Sequence, residues 1–186
     1  GVDVYLWNKE ELGPWVGYLP QDVELFEGTI ADNIARFGAV DSDAVIVAAK
    51  RAGVHDMILR FAHGYDTPLD VDGNPLSGGQ RQRIGLARAL YGEPSIIVLD
   101  EPNANLDDAG EKALIEVLED LKSRGCTTVL ISHRPSILGT VDKVLMLREG
   151  STQLFGPRDE VFAALRQTSV LPTVGAPTLS AVRGRE

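Results

Sequence analysis

Ile96-Ile97-Val98-Leu99 is an unbroken aliphatic run that follows a Gly92…Pro94 turn and ends in two adjacent carboxylates, Asp100 and Glu101. A run of this length and placement predicts a strand buried on both faces of a parallel sheet, with helices covering each side. The neighbouring segments fit that demand. From Ser77 to Tyr91, the residues Ile84, Ala87, Leu90 and Tyr91 recur at helical spacing. Asp107 to Arg124 predicts an amphipathic helix with Leu114, Val117, Leu118 and Leu121 on one face, stopped by Gly125. Thr127 to Ile131 is then the next strand. Strands alternating with helices make an α/β layer.

The remaining elements are shorter. Trp15 to Leu19 predicts a strand ended by Pro20 and Gln21. Three helices are expected next, Thr29 to Phe37, Asp41 to Ala52 and Val54 to Ala62, as an inserted helical group. Gly64 to Pro75 is rich in Gly, Pro and Asp and is expected to be a long loop. Val144 to Leu147 and Thr152 to Phe155 flank Glu149-Gly150, a hairpin signal, and Arg158 to Gln167 predicts a last helix. Residues 168–186 lack any period that builds a core element and are expected to form a loose tail.

Bulk properties narrow the partners. With 27 acidic and 18 basic residues the formal charge is -9, which argues against broad attraction to nucleic acid or anionic lipid. The longest apolar run, Ala44 to Ala49, is far short of the roughly 20 residues of a spanning helix, so this segment is not expected to insert in a membrane. Cys126 is the only cysteine, so the chain holds no internal disulfide or cysteine-rich metal site; a small buried core residue is expected there.

Three groups of residues carry chemistry. Leu76-Ser77-Gly78-Gly79-Gln80 opens a predicted helix, where unpaired N–H groups, the helix dipole and side-chain-free glycines suit an anion. Asp100 and Glu101 lie at the carboxyl end of a strand, the edge where open α/β sheets bind ligands. One carboxylate there is placed to hold Mg²⁺ through its water shell and the other to orient or deprotonate an attacking water. His133 follows the next strand and should emerge on the same edge, within reach of a phosphate and of Glu101. His55 and His63 carry no such context.

Taken in order, Gln21 after a strand, Leu76 to Gln80, Ile96 to Glu101, Asn105-Leu106-Asp107 and His133 resemble the Q-loop, signature, Walker B, D-loop and H-loop of ABC ATPases. The wording from Val16 to Phe26 and from Thr29 to Ile34 is further similar to exporter domains, especially type I secretion ATPases. The resemblance covers about residues 1–167. It implies a P-loop NTPase-like fold with a mainly parallel sheet and a helical subdomain at about 29–91, and it implies ATP and Mg²⁺ as ligands. Glu101 would be the catalytic base, His133 a contact to the γ-phosphate, and Asp100 and Gln21 supports for Mg²⁺, with Gln21 also touching the attacking water. Ser77, Gly78, Gly79 and Gln80 would bind the ATP of an opposing subunit in a head-to-tail dimer, with Asp107 at the dimer interface. A transmembrane domain, fused upstream, and a place on the cytoplasmic face of the inner membrane are implied as well. A soluble ABC ATPase without a transporter, or a non-catalytic module of the same fold, are the competing readings.

The sequence contains no Gly-x-x-x-x-Gly-Lys-Ser/Thr. The resemblance puts the P-loop, with its strand and helix, before Gly1, so the chain is expected to be part of a longer exporter subunit and to bind ATP poorly alone. Val2, Val4 and Leu6 alternate as in a strand, but the family has a loop and a short helical turn there, and that is the expectation.

Overall fold

A computed structural model describes residues 3, 6–70 and 76–169 of the chain. They belong to two compact units, Gly1–Thr140 and Val141–Glu186. In the first, α1 (Lys9–Leu12) and a 3-10 turn over Gly13–Trp15 lead into β1 (Val16–Leu19). Then come β2 (Gly28–Thr29), α2 (Ile30–Ile34), α3 (Ser42–Arg51), α4 (His55–Ile58), a 3-10 turn over Gly64–Asp66 and β3 (Pro68–Leu69). The unit continues with α5 (Gly78–Leu90), β4 (Ile96–Asp100), α6 (Asp108–Ser123), β5 (Thr127–Ile131) and α7 (Pro135–Leu138).

The parallel sheet has the order β1-β4-β5. Its register sets Gly17 beside Ile97 and Thr128, and Leu19 beside Leu99 and Leu130. Successive side chains alternate between faces, and these six residues share one. On that face α5 packs against β1 and α6 against β5. Leu19, Ile97 and Leu99 are wholly buried there. Gly17 is required by the packing: a Cβ at this position would lie 2.2 Å from the Ala89 carbonyl oxygen, inside contact distance of rigid helix backbone. The opposite face corrects the expectation of a strand buried on both sides. Tyr18, Ile96, Val129 and Ile131 are 55%, 42%, 49% and 50% exposed, so β4 is covered on one side and apolar but open on the other.

The helices gather on α5, which α2 and α3 both contact. α2 starts in a reciprocal cap, with Thr29 Oγ1 accepting from Asp32 N–H at 3.0 Å and Asp32 Oδ2 accepting from Thr29 N–H at 2.8 Å. It ends at Ile34 rather than at Phe37, because Arg36 and Phe37 turn left-handed, with φ of 57° and 59°. That turn sends the Arg36 guanidinium to five carbonyls: Gly13 before β1, Val16 at its start, and Arg88, Ala89 and Tyr91 at the end of α5, all at 3.0–3.1 Å. The carbonyls ending a helix lack intrahelical donors, so Arg36 caps α5 and ties it to β1. The expected helix from Val54 to Ala62 contracts to four residues, because Arg60 and Phe61 donate to carbonyls three residues back and tighten the chain.

Within the expected loop from Gly64 to Pro75, the start is ordered into the 3-10 turn and into β3, which pairs antiparallel with β2. Residues 71–75 lie outside the described residues, as do Val2 and Val4. Leu6 sits in a turn closed by its N–H on the Asp3 carbonyl at 3.0 Å. Cys126 is half-buried rather than wholly in the core; its Sγ donates to the Pro94 carbonyl at 3.4 Å, and burial pushes the thiol pKa up.

The second unit is an antiparallel hairpin of β6 (Lys143–Arg148) and β7 (Ser151–Pro157) with α8 (Arg158–Ser169) packed on β7. Glu149 and Gly150 both have positive φ, 51° and 74°, as a two-residue type I′ turn requires. α8 runs two residues past Gln167; residues 170–186 lie outside the described residues.

Candidate functional site

The carboxyl ends of β4 and β5 bring Asp100, Glu101 and His133 together, and the loop after β1 adds Gln21, around an open cleft of about 410 Å³. Asp100 closes the strand on the open face of the sheet, in register with Ile131. Glu101 leaves it in a left-handed conformation, φ 44°, which costs a residue with a Cβ on the order of 1–3 kcal/mol. The turn is held from both sides: Glu101 N–H donates to the Ile131 carbonyl at 2.9 Å, and Ala104 N–H donates to the Glu101 carbonyl at 3.0 Å. Strain retained at one carboxylate implies that its direction matters.

His133 Nδ1 lies 2.9 Å from Glu101 Oε1, with the imidazole largely exposed and the carboxylate largely buried. In the Nδ1–H tautomer the ring donates to the carboxylate and leaves Nε2 facing solvent. The second carboxylate oxygen, Oε2, is buried and has no hydrogen-bond partner among the described residues. A buried carboxylate oxygen of this kind needs a donor, and an ordered water or a group added to the site can supply it. The donors in the cleft are hard oxygens, two carboxylates and an amide, which suit Mg²⁺ bound through few protein ligands and several waters. Among the described residues there is no cluster of three or more His, Cys, Asp or Glu that would cage a metal unaided. The site therefore fits a cation that arrives with its own ligands.

Ser77, Gly78, Gly79 and Gln80 line no part of this cleft. They form the start of α5, where Ser77 Oγ accepts from Gln80 N–H at 3.2 Å and Gln80 Oε1 accepts from Ser77 N–H at 2.8 Å. The N–H groups of Gly78 and Gly79 fall in the first helical turn, where the helix supplies no acceptor. Both glycines are packed on the loop before α6: a Cβ would meet the Asn105 side chain at 3.3 Å from Gly78, and the Asn105 carbonyl oxygen at 2.8 Å from Gly79. Asp107 caps α6 through Gly110 N–H at 2.8 Å and pairs with Arg83 Nη2 of α5 at 3.2 Å. The sequence-predicted residues thus form two separate places, the cleft and the α5 start.

Sequence reasoning passed over the residues that brace the cleft. Asn103 is buried and accepts from Ser132 Oγ at 2.9 Å, which fixes the residue before His133. Arg134, the residue after His133, donates to Glu111 Oε2 at 2.5 Å, while Ser136 Oγ donates to Glu111 Oε1 at 2.5 Å. These two bonds, Ser136 first, hold the Glu111 carboxyl below its ordinary pKa. The only sequence signal for Glu111 was its position four residues after the helix-capping Asp107.

The family profile for the ABC transporter matches residues 1–104. Type I secretion system ATP-binding protein PrsD of Rhizobium meliloti is 56% identical over 162 residues, covering 87% of this chain and 28% of that protein. ATP-dependent lipid A-core flippase of Saccharophagus degradans is 43% identical over 152 residues, covering 81% and 26%. A solved bacterial Atm1-family ABC exporter with ATP bound superposes with a TM-score of 0.78 at 30% identity, covering 94% of this chain and 32% of that one. The chain spans about a quarter to a third of the length of these proteins.

Proposed function

The chain belongs to the ABC transporter family, and from that premise we propose that it is the greater part of the ATP-hydrolysing domain of an exporter subunit, of the type I protein secretion kind. The pairing of Glu101 with His133, with one carboxylate oxygen left free for water, carries the reading. Glu101 acts as general base: His133 holds Oε1, which directs Oε2 toward the water whose proton it takes. As the imidazolium, with both ring nitrogens protonated, His133 donates Nε2–H to the terminal phosphate while Nδ1–H holds Oε1. Asp100 and Gln21 would hold Mg²⁺ through its waters, and when bound that ion offsets the negative charge of the phosphates.

The two separate places call for two subunits. Gly78 and Gly79 stand in the first turn of α5, where the helix supplies no acceptor, and line no part of the cleft, whereas the cleft has the base but, among the described residues, none of the α5 start. Placed head to tail, each α5 start completes the cleft of the other copy, with Asp107 at the contact. The P-loop comes from the longer protein, upstream of Gly1, and its strand and helix cover the open face formed by Tyr18, Ile96, Val129 and Ile131. The transmembrane domain belongs to that same longer protein and holds this domain on the cytoplasmic face of the membrane. Among the described residues no helix is long and apolar enough to cross a membrane.

The test is Glu101→Gln in the full-length subunit. ATP turnover is expected to fall by about 100-fold or more, since general base catalysis contributes at least that, while ATP binding persists. Turnover within a few-fold of the parent protein removes Glu101 from the role.

A further inference from the structure

Arg134 presents a problem to any mechanism that uses Glu101. It lines the same cleft, it follows His133 directly, and its guanidinium is a permanent cation with five donors in a fork matched to carboxylates. Glu101 Oε2 is a buried carboxylate oxygen with no partner among the described residues. A guanidinium released into this cleft has the Glu101 carboxylate as an acceptor, and a base held in a charge-assisted pair is a poor proton acceptor. Arg134 is instead turned to Glu111, on the first full turn of α6, with Ser136 Oγ on the other Glu111 oxygen. Glu111 is fixed in turn, because its N–H bonds the Asp107 carbonyl at 2.8 Å and its carboxyl is only 17% exposed, although Arg134 itself is 43% exposed.

Resting on the proposed role of Glu101, we propose that Glu111 is a positioning residue that holds Arg134 away from the catalytic carboxylate. The contacts of the Glu111 carboxylate are Arg134 and Ser136, so its proposed effect on Glu101 runs through Arg134. The lowered carboxyl pKa keeps it charged throughout the neutral range, as a standing counter-ion must be. The loop carrying His133 is thereby clamped on both flanks, by Ser132 on Asn103 and by Arg134 on Glu111. Loss of the second clamp leaves the first in place, so the histidine loop stays attached while the arginine is released.

A structural brace and a sequestering partner predict different double variants. In the full-length subunit, Glu111→Ala is expected to lower kcat for ATP at least tenfold, with KM within threefold and an unchanged thermal midpoint for the ATP-bound protein. Adding Arg134→Gln to Glu111→Ala should return kcat to within threefold of Arg134→Gln alone, because the competing cation is gone. If the double variant is as slow as Glu111→Ala, or slower, Glu111 merely supports the loop and the proposal is wrong. It is equally overturned if Glu111→Ala leaves kcat unchanged while Glu101→Gln abolishes it. An unimpaired Glu101→Gln protein would instead defeat the prior assignment of the base, which keeps the two failures apart.

Discussion

The two faces of the β1-β4-β5 sheet have the same aliphatic character and opposite fates. One meets α5 and α6 and is wholly buried at Leu19, Ile97 and Leu99; the other leaves Tyr18, Ile96, Val129 and Ile131 between two-fifths and three-fifths exposed. Asp100 belongs to the open side of this alternation, and the cleft lies at its edge. The difference separates what these residues stabilise by themselves from what they hold ready. The covered face is packed by the chain's own α5 and α6. The open face and the catalytic edge are where the proposed P-loop segment and opposing subunit would add atoms.

The strongest way to test the covered face is to hollow it. Leu99→Ala should destabilise by about 2–5 kcal/mol, since a wholly buried side chain between two strands and their helices leaves a cavity that neighbours only partly fill. Chemical denaturation should show the same loss in this chain and in the longer subunit. Next in size is Arg36→Ala. It strips donors from five carbonyls, three of them at the end of α5, for a cost of about 2–3 kcal/mol by the usual worth of hydrogen bonds to a charged group. Arg36→Lys should recover less than half of that, because an ammonium with three donors cannot span the fork. Full recovery by lysine would show that charge near the helix end, rather than the tie between β1 and α5, is what matters.

These two residues also mark how far the sequence could be read. The Ile96–Leu99 run, the helix starts expected at Ser77 and Asp107, and the Glu149-Gly150 turn each follow from local chemistry, and α5, α6 and the hairpin appear where that chemistry puts them. The arrival of His133 beside Glu101 was legible because neighbouring parallel strands end at one edge. Arg36 was not legible, since a left-handed turn inside a helical pattern is imposed by partners 20 to 55 residues away. Glu111 was hidden for the same reason: its two partners, Arg134 and Ser136, come from the loop after β5 and from α7. The openness of one sheet face was also beyond an aliphatic run, which reports the apolar character of a strand and not what lies against it.

The smallest effect is expected on the open face, and it is the one that tests the comparison itself. Val129→Thr keeps the β-branched shape and strand preference but replaces a methyl with a hydroxyl. At a half-exposed position the hydroxyl stays hydrated, so in the 186-residue chain the change should be within about 0.5 kcal/mol, as for surface substitutions generally. In the longer subunit, where the upstream strand and helix are proposed to cover this face, the same hydroxyl loses its water and should cost about 1–3 kcal/mol. Denaturation midpoints of the two proteins, each with and without the substitution, measure the difference directly. Equal small losses in both would mean that the face remains open in the longer protein, and that the apolar residues along β4 and β5 await some other partner.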